Sequence, residues 1–558
     1  MSLSIKPETK YFNYLVWTTV IITVVMTPWV NSDSLIIPKF IVLFSLGLSL
    51  LPFVLANSKK LTSSLMGRAL FVTTILIVLQ MLMVIWMSPA PFEQQFFGRT
   101  GRGLGFGTEF ALLFVILTAA LCANNYSIPS LQVGMFFASF ITTLYSIFQR
   151  LGYDVFDWTS RTNGIIGTLG NPNFQSSFAA MAFLPTLTYF WTKKYGRVLA
   201  FISATPLITL IYISESTQGY IILLATLNIF LLFYFWFKNK VIFNVHLIVF
   251  LASVIVAILG MINKGPLASY LYKVSVQSRG DFFRTSLAIA NEHPFFGVGL
   301  DSLGDNYLKF WNPNNTSSIG EFADNSHNLF LNYASTGGYT LAVLHYILVA
   351  LVLFSFIFNQ RKIKLFSSNY IALFCAWLGY QLQAMISPAN ISMLTWNAIL
   401  SGFLIGLSFQ ENLESTSIKE INPSKLEFVR PFMYFFGVIA LIITYPLYRV
   451  DSMQVTANKT GNANLAMESA LSYPESTIRY ARIGQELLKS NLLPQALEIA
   501  RAAAKFNPDA PSAWALILLN NSAPLSERID AKNQVLRLDP YNREIRDVNF
   551  SDLLDPGK

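Results

Sequence analysis

Residues 279–338 read RGDFFRTSLAIANEHPFFGVGLDSLGDNYLKFWNPNNTSSIGEFADNSHNLFLNYASTGG, a polar and ionisable interlude in a chain that is apolar on either side of it. Phe282, Phe283, Leu287 and Ala290 recur at helical spacing among Arg279, Asp281 and Arg284, which reads as an amphipathic helix lying on a membrane surface. Glu292-His293-Pro294 ends that helix, because proline disfavours helical backbone in the residue before it. Gly297 and Gly299 permit a sharp turn just ahead of Asp301. Asn325-Ser326-His327-Asn328 then stands immediately before the next apolar run. An imidazole at that boundary, titrating near physiological pH, makes His327 a proton-handling candidate.

The flanking composition excludes an ordinary soluble protein. Of 558 residues, 53% are hydrophobic and only 12% charged, and several runs long enough to cross a bilayer carry no charge. Spans are expected near 13–30, 35–55, 69–88, 106–123, 130–149, 174–191, 198–214, 219–237, 243–262, 338–358, 369–386, 390–408 and 430–447. The expected fold class is therefore an all-α polytopic membrane helical bundle of about 13 spans. Residues 1–450 would form this membrane domain, with a large extracytoplasmic loop at 263–337. No cleavage site precedes the first apolar run, which is expected to stay as a signal anchor. Cys122 and Cys375 lie inside apolar runs and read as buried packing residues.

Basic residues set the expected orientation. Lys59, Lys60 and Arg68, then Lys193, Lys194 and Arg197, then Lys238 and Lys240, Arg361, Lys362 and Lys364, and finally Lys419, Lys425 and Arg430 all fall in even-numbered loops. With Lys6 and Lys10 they place the N-terminus in the cytoplasm and the 263–337 loop outside. Arginines that break this rule need another reason to be where they are. Arg99 and Arg102 (FGRTGRG), Arg161 (RTNG), Arg279 and Arg284 all fall on the outer side, where an anionic ligand supplies that reason. Interfacial snorkelling is the bland alternative. Asn171-Pro172-Asn173 is suited to start a helix whose free amides favour an anion. No basic segment interleaved with aromatics suggests nucleic acid, despite the net charge of +9.

From about residue 451 the charge rises, and Tyr473-Pro474, Asn507-Pro508 and Asp539-Pro540 recur near the 34-residue period of tetratricopeptide repeats. Residues 451–558 are thus expected to form an extracytoplasmic tetratricopeptide-like helical domain, serving either a protein partner or as a stabilising cap.

An arginine, then E-x-P-x-x-G-x-G from Glu292 to Gly299, then His327-Asn328 at the start of an apolar helix with its Gly337-Gly338 step, together resemble the signature of the O-antigen ligase and polymerase superfamily, the Wzy_C membrane glycosyltransferases. The Phe-Gly-Arg and Gly-Asn-Pro-Asn stretches are similar to what ligase members carry, so the likeness runs from about 95 to 410. The resemblance implies a GT-C-like bundle that moves a glycan from undecaprenyl pyrophosphate to a hydroxyl of a lipid, polysaccharide or protein. That transfer would take place, with inversion, on the outer face of a bacterial cytoplasmic membrane. It implies His327 as base and Arg279 beside it, with Arg284, Arg161, Arg99 and Arg102 holding pyrophosphate. Asn171, Asn173, Gln218, Glu292 and Asn328 would complete the substrate surface. Many relatives resemble Ser-Arg-Gly where this chain has Thr217-Gln218-Gly219, so either Arg99, Arg102 or Arg161 supplies that anion contact or the donor is handled differently. No cofactor and no metal is expected, since the spacing of Glu292, Asp301, Asp305 and Asp324 matches no metal loop. A polymerase with the same chemistry, and a transporter of a lipid-linked saccharide, are the competing readings. The transporter would place ionisable residues near the bilayer midplane.

Overall fold

The computed structural model describes residues 7–154, 156, 158, 165–315, 322–362, 367–414 and 423–548, with side chains omitted at 7, 315, 359–362, 409–414 and 423–426. Arg161, Lys6, Lys364 and Lys419 therefore lie outside the described residues, as do the side chains of Arg361, Lys362 and Lys425.

The described residues form helices and no strands. In chain order the membrane helices are α1 (Pro7–Val24), α2 (Ile36–Ala56), α3 (Leu65–Met87), α4 (Phe106–Cys122), α5 (Ser127–Arg150), α6 (Pro172–Trp191), α7 (Gly196–Ile213), α8 (Thr217–Lys238) and α9 (Lys240–Met261). The loop helices α10 (Val274–Glu292) and α11 (Leu303–Phe310) follow. After them come α12 (Leu329–Lys362), α13 (Ser368–Ala384), α14 (Ile391–Glu414) and α15 (Pro423–Thr460). Each expected span coincides with one of these helices, and nine helices among the described residues are long and apolar enough to cross a membrane. Helix is what an apolar run must form in lipid, where no water can satisfy its amides and carbonyls.

The bundle is layered by burial. Helix α14 is almost wholly enclosed and α4 nearly so, whereas α9 has its apolar face outside. Gly402 and Gly406 let α14 and α4 touch, since a Cβ at either would sit 2.3 Å from the carbonyl oxygen of Ile116 or Ala120. Cys122 and Cys375 are buried and free.

Lys60 gathers one end of the bundle, pairing with Glu8 at the start of α1 (3.9 Å) and donating to the Leu121 carbonyl (3.1 Å). The opposite end carries α10, α11 and the loop 97–105, and on it sit α16 (Ala463–Leu471), α17 (Thr477–Lys489), α18 (Leu493–Phe506), α19 (Pro511–Leu519) and α20 (Leu525–Leu538). These last helices share a core of their own, built around Tyr480, Ile483, Ala500, Leu516 and Ala531. Each X-Pro step, at 473–474, 507–508 and 539–540, closes a helix just before it, and α17 packs with α18 as α19 does with α20. The expected boundary at 451 falls inside α15, which runs from the bundle into this unit without interruption.

Candidate functional site

The E-x-P-x-x-G-x-G turn is a plug for a broken helix. Helix α12 is interrupted at Gly338, whose φ is +80°, and a break of this kind frees backbone groups inside the membrane domain. The turn satisfies them. Val298 and Gly299 donate their N–H groups to the carbonyls of Ser335 (2.9 Å) and Thr336 (3.0 Å), and Tyr339 N–H donates to Pro294 O (2.8 Å). Gln80 of α3 donates its side-chain amide to Phe295 O (2.8 Å) and Gly337 O (3.1 Å). The approach is close enough that a Cβ on Gly297 would lie 2.4 Å from the Thr336 carbonyl carbon. The motif thus sets the angle at which the first arm of α12, and His327 just ahead of it, meets α10.

His327 has a left-handed backbone (φ +54°), a conformation uncommon for residues other than glycine and one often found at functional sites. Asn325 holds it there: its side-chain oxygen accepts the His327 N–H (3.0 Å), and its backbone carbonyl lies 3.2 Å from His327 Nδ1. A carbonyl only accepts, so Nδ1 carries the proton of the neutral ring and the Nε2 lone pair is free to receive another. Phe282 of α10 lies against the imidazole, with centroids 4.9 Å apart, and Arg279 is one turn earlier on the same face. Burial, followed by the positive charge of Arg102, pushes His327 down to about 4, with Arg279 acting in the same direction.

The arginines differ in their engagements. Arg102 makes a two-pronged contact with Asp324 (2.6 and 3.1 Å); burial works to raise that carboxyl, but the guanidinium outweighs it and holds it below its usual value. Arg99 is buried against Asp305, while its backbone N–H and that of Leu104 donate to Asp301 (2.7 and 3.0 Å). Burial still raises Asp301 to about 6. Arg284 is exposed and pairs with Asp281 one turn back on α10, and Glu292 is exposed at that helix's end. Among the described residues Arg279 Nε is buried with no hydrogen-bond partner. Asp301, Asp305 and Asp324, weighed above as metal ligands, are each engaged by amides or arginines.

The remaining residues expected at the site meet beside this group. Asn328 caps α12 through Leu331 N–H (3.0 Å) and donates to Met385 O (3.2 Å). Two residues on, Ser387 donates to Gln218 Oε1 (2.7 Å), and among the described residues the buried Gln218 Nε2 has no partner. Asn171 caps α6 by accepting from Asn173 N–H (2.8 Å), and Asn173 Oδ1 accepts from Ser216 (2.6 Å). Lys273, which the sequence reading overlooked, reaches Thr217 Oγ1 (3.4 Å). A cation therefore stands beside Gln218, contributed by the residue just before α10. Only its place at the foot of an amphipathic helix marked it in the sequence.

Two further ionisable side chains are engaged within the bundle. His345 lies 3.4 Å from Glu109 of α4, and Tyr333 donates to the other oxygen of that carboxylate (2.9 Å). Glu109 thereby joins both arms of α12. Lys39 of α2 is enclosed with its ammonium on Thr23 O, Thr168 O and Ser392 Oγ (3.1, 2.6 and 2.9 Å), tying three helix ends together.

The fold and its polar end define a polytopic helical membrane protein that gathers histidine, arginines and amides on one face. Residues 180–346 match the family model Wzy_C, described as O-Antigen ligase. The matched segment holds α10, the E-x-P-x-x-G-x-G plug and His327. None of the curated proteins matches the chain.

Proposed function

We propose that this end of the bundle transfers a glycan from undecaprenyl pyrophosphate to an acceptor hydroxyl, at the outer face of a bacterial cytoplasmic membrane with the N-terminus inside. The observation that carries the reading is His327, whose ring lies against Phe282, whose Nδ1 faces the Asn325 carbonyl, whose Nε2 has no hydrogen bond among the described residues, and which feels the positive charges of Arg102 and Arg279. The acceptor hydroxyl gives its proton to Nε2 as its oxygen bonds to the anomeric carbon. The glycosyl–oxygen bond breaks on the opposite side, and the polyprenyl pyrophosphate leaves with the electron pair, so the configuration inverts.

Arg279 receives leaving-group charge, because its guanidinium is desolvated and its Nε has no partner among the described residues. Arg284 is exposed on the next turn and can follow the glycan side. Lys273 and the Gln218 amide supply the contact that relatives obtain from arginine. Arg99 acts from behind, fixing the loop that presents Arg102. Burial and then Arg102 lower the pKa of His327; a pyrophosphate held here would offset Arg102 and Arg279 and return the imidazole towards its ordinary range, where it is a competent base.

The test is reconstituted protein with a polyprenyl-pyrophosphate-linked glycan and a hydroxyl acceptor, compared with His327→Ala and Arg279→Ala. Released polyprenyl pyrophosphate with glycan on the acceptor, lost in both folded variants, is the expected result. A ladder of products indicates chain extension in place of a single ligation. Full activity in His327→Ala would remove the histidine from the mechanism, and movement of intact donor across the bilayer would replace transfer with transport.

A further inference from the structure

We infer that the C-terminal helical unit is a working part of the outer site, with Asn507 as a positioning residue that fixes Asp305 and, through it, the loop carrying Arg99 and Arg102. Asn507 follows α18 and is 3% exposed, yet its partners are in the membrane domain as well as its own unit. Its side-chain amide donates to Asp305 Oδ2 (3.0 Å) and to Thr477 Oγ1 (3.0 Å). Gln94 donates to the same Asp305 oxygen (2.8 Å), and Thr477 donates to Gln94 Oε1 (3.4 Å), which closes a ring of three side chains around the carboxylate. The other oxygen of Asp305 holds Arg99. Thr100, the residue after Arg99, and Ser476, the residue before Thr477, share a hydrogen bond (2.8 Å).

This pattern is unlike that of a tethered recognition module. A buried carboxylate must have its lone pairs filled, and taking away one donor leaves an undersolvated charge beside the arginine it is meant to orient. The loop's far end is Arg102, which reaches Asp324, three residues before His327. Asn507 is thus four links from the imidazole: Asp305, the 99–102 loop, Asp324 and the backbone that leads to His327.

The inference rests on the transferase reading only for its activity arm. Full-length Asn507→Ala, Thr477→Val, Asp305→Asn and the Asn507→Ala/Asp305→Asn pair are compared in lipid nanodiscs by hydrogen exchange over 97–105 and by transfer kinetics. We expect Asn507→Ala to speed exchange of the Arg99 and Leu104 amides and to lower kcat/KM about tenfold, the scale of one buried hydrogen bond to a charged group. The double variant should be no slower than Asp305→Asn alone, because both changes break one path. Unaltered exchange in Asn507→Ala, or effects that multiply in the double variant, would overturn the inference. Should Asn507→Ala not accumulate as folded protein, Thr477→Val removes the same ring with little change of shape, and the same exchange result is required of it. A wild type inactive on the lipid-linked donor would sink the transferase reading and leave the exchange arm to decide this one.

Discussion

His327 is a base whose strength is set by what surrounds it. Burial and Arg102 disfavour its protonated form, so the free protein keeps it neutral down to about pH 4. The acid limb of kcat/KM, which reports the free enzyme, should therefore lie near that value. The acid limb of kcat should lie higher, because bound pyrophosphate offsets the neighbouring cations. Rate profiles from pH 4 to 8 check this, and coincident limbs at the ordinary histidine value would contradict it. Arg102→Ala removes a like charge from the imidazole, so its kcat/KM limb should move up towards 6.5, with a loss of roughly tenfold or more in rate. The same depressed pKa has a stability sign: the unfolded chain binds a proton at His327 more readily, so its contribution is present above the unfolded value and is lost as pH falls from 6.5 towards 4. That His327 and Arg279 are candidates was legible in the sequence, because motif spacing and a departure from the basic-residue rule both pointed at them. Lys273 and the Asp305 ring were not, since their partners lie 56 and 202 residues away and no local pattern encodes such pairings.

At the scale of elements, the spans were legible because an apolar run in lipid has little choice but helix. The break in α12 was not. Asn332, Ser335 and Thr336 lower the apolar signal of the first arm, so the run read as a helix from 338 when it begins at 329. What makes the first arm helical is outside it, in the plug from Pro294 to Gly299 and in Glu109 bridging Tyr333 and His345. Gly338→Ala should therefore be severe, because a Cβ would stand 2.3 Å from Phe295 O at a backbone angle that alanine avoids. We expect a loss of at least about 2 kcal/mol, seen as a lower melting temperature in detergent or as loss of folded protein. Near-native melting and activity would show that the plug yields, and that the motif does not fix the angle of the arm.

For the whole molecule, the chain's two ends of the bundle should face opposite compartments. A membrane-impermeant maleimide applied to intact cells should label Arg284→Cys and leave Lys194→Cys unlabelled; both positions are exposed, and the native cysteines are buried. The reverse pattern would invert the assigned orientation. Domain arrangement was only half legible. The proline spacing pointed to paired helices, but that their turns would be built into the arginine loop depends on contacts between segments hundreds of residues apart.

Helix α15 gives that arrangement its stiffness. Its 38 residues extend about 57 Å at 1.5 Å per residue, well beyond a hydrocarbon core of about 30 Å. It is stayed near its upper part by Asp451, which accepts the Asp33 N–H (3.2 Å), and by Lys459, which reaches Trp29 O (3.3 Å). Such a mast holds its superstructure at a fixed height and bearing over the deck. An acceptor, like a small boat coming alongside, then boards from the beam, between the membrane surface and the overhang.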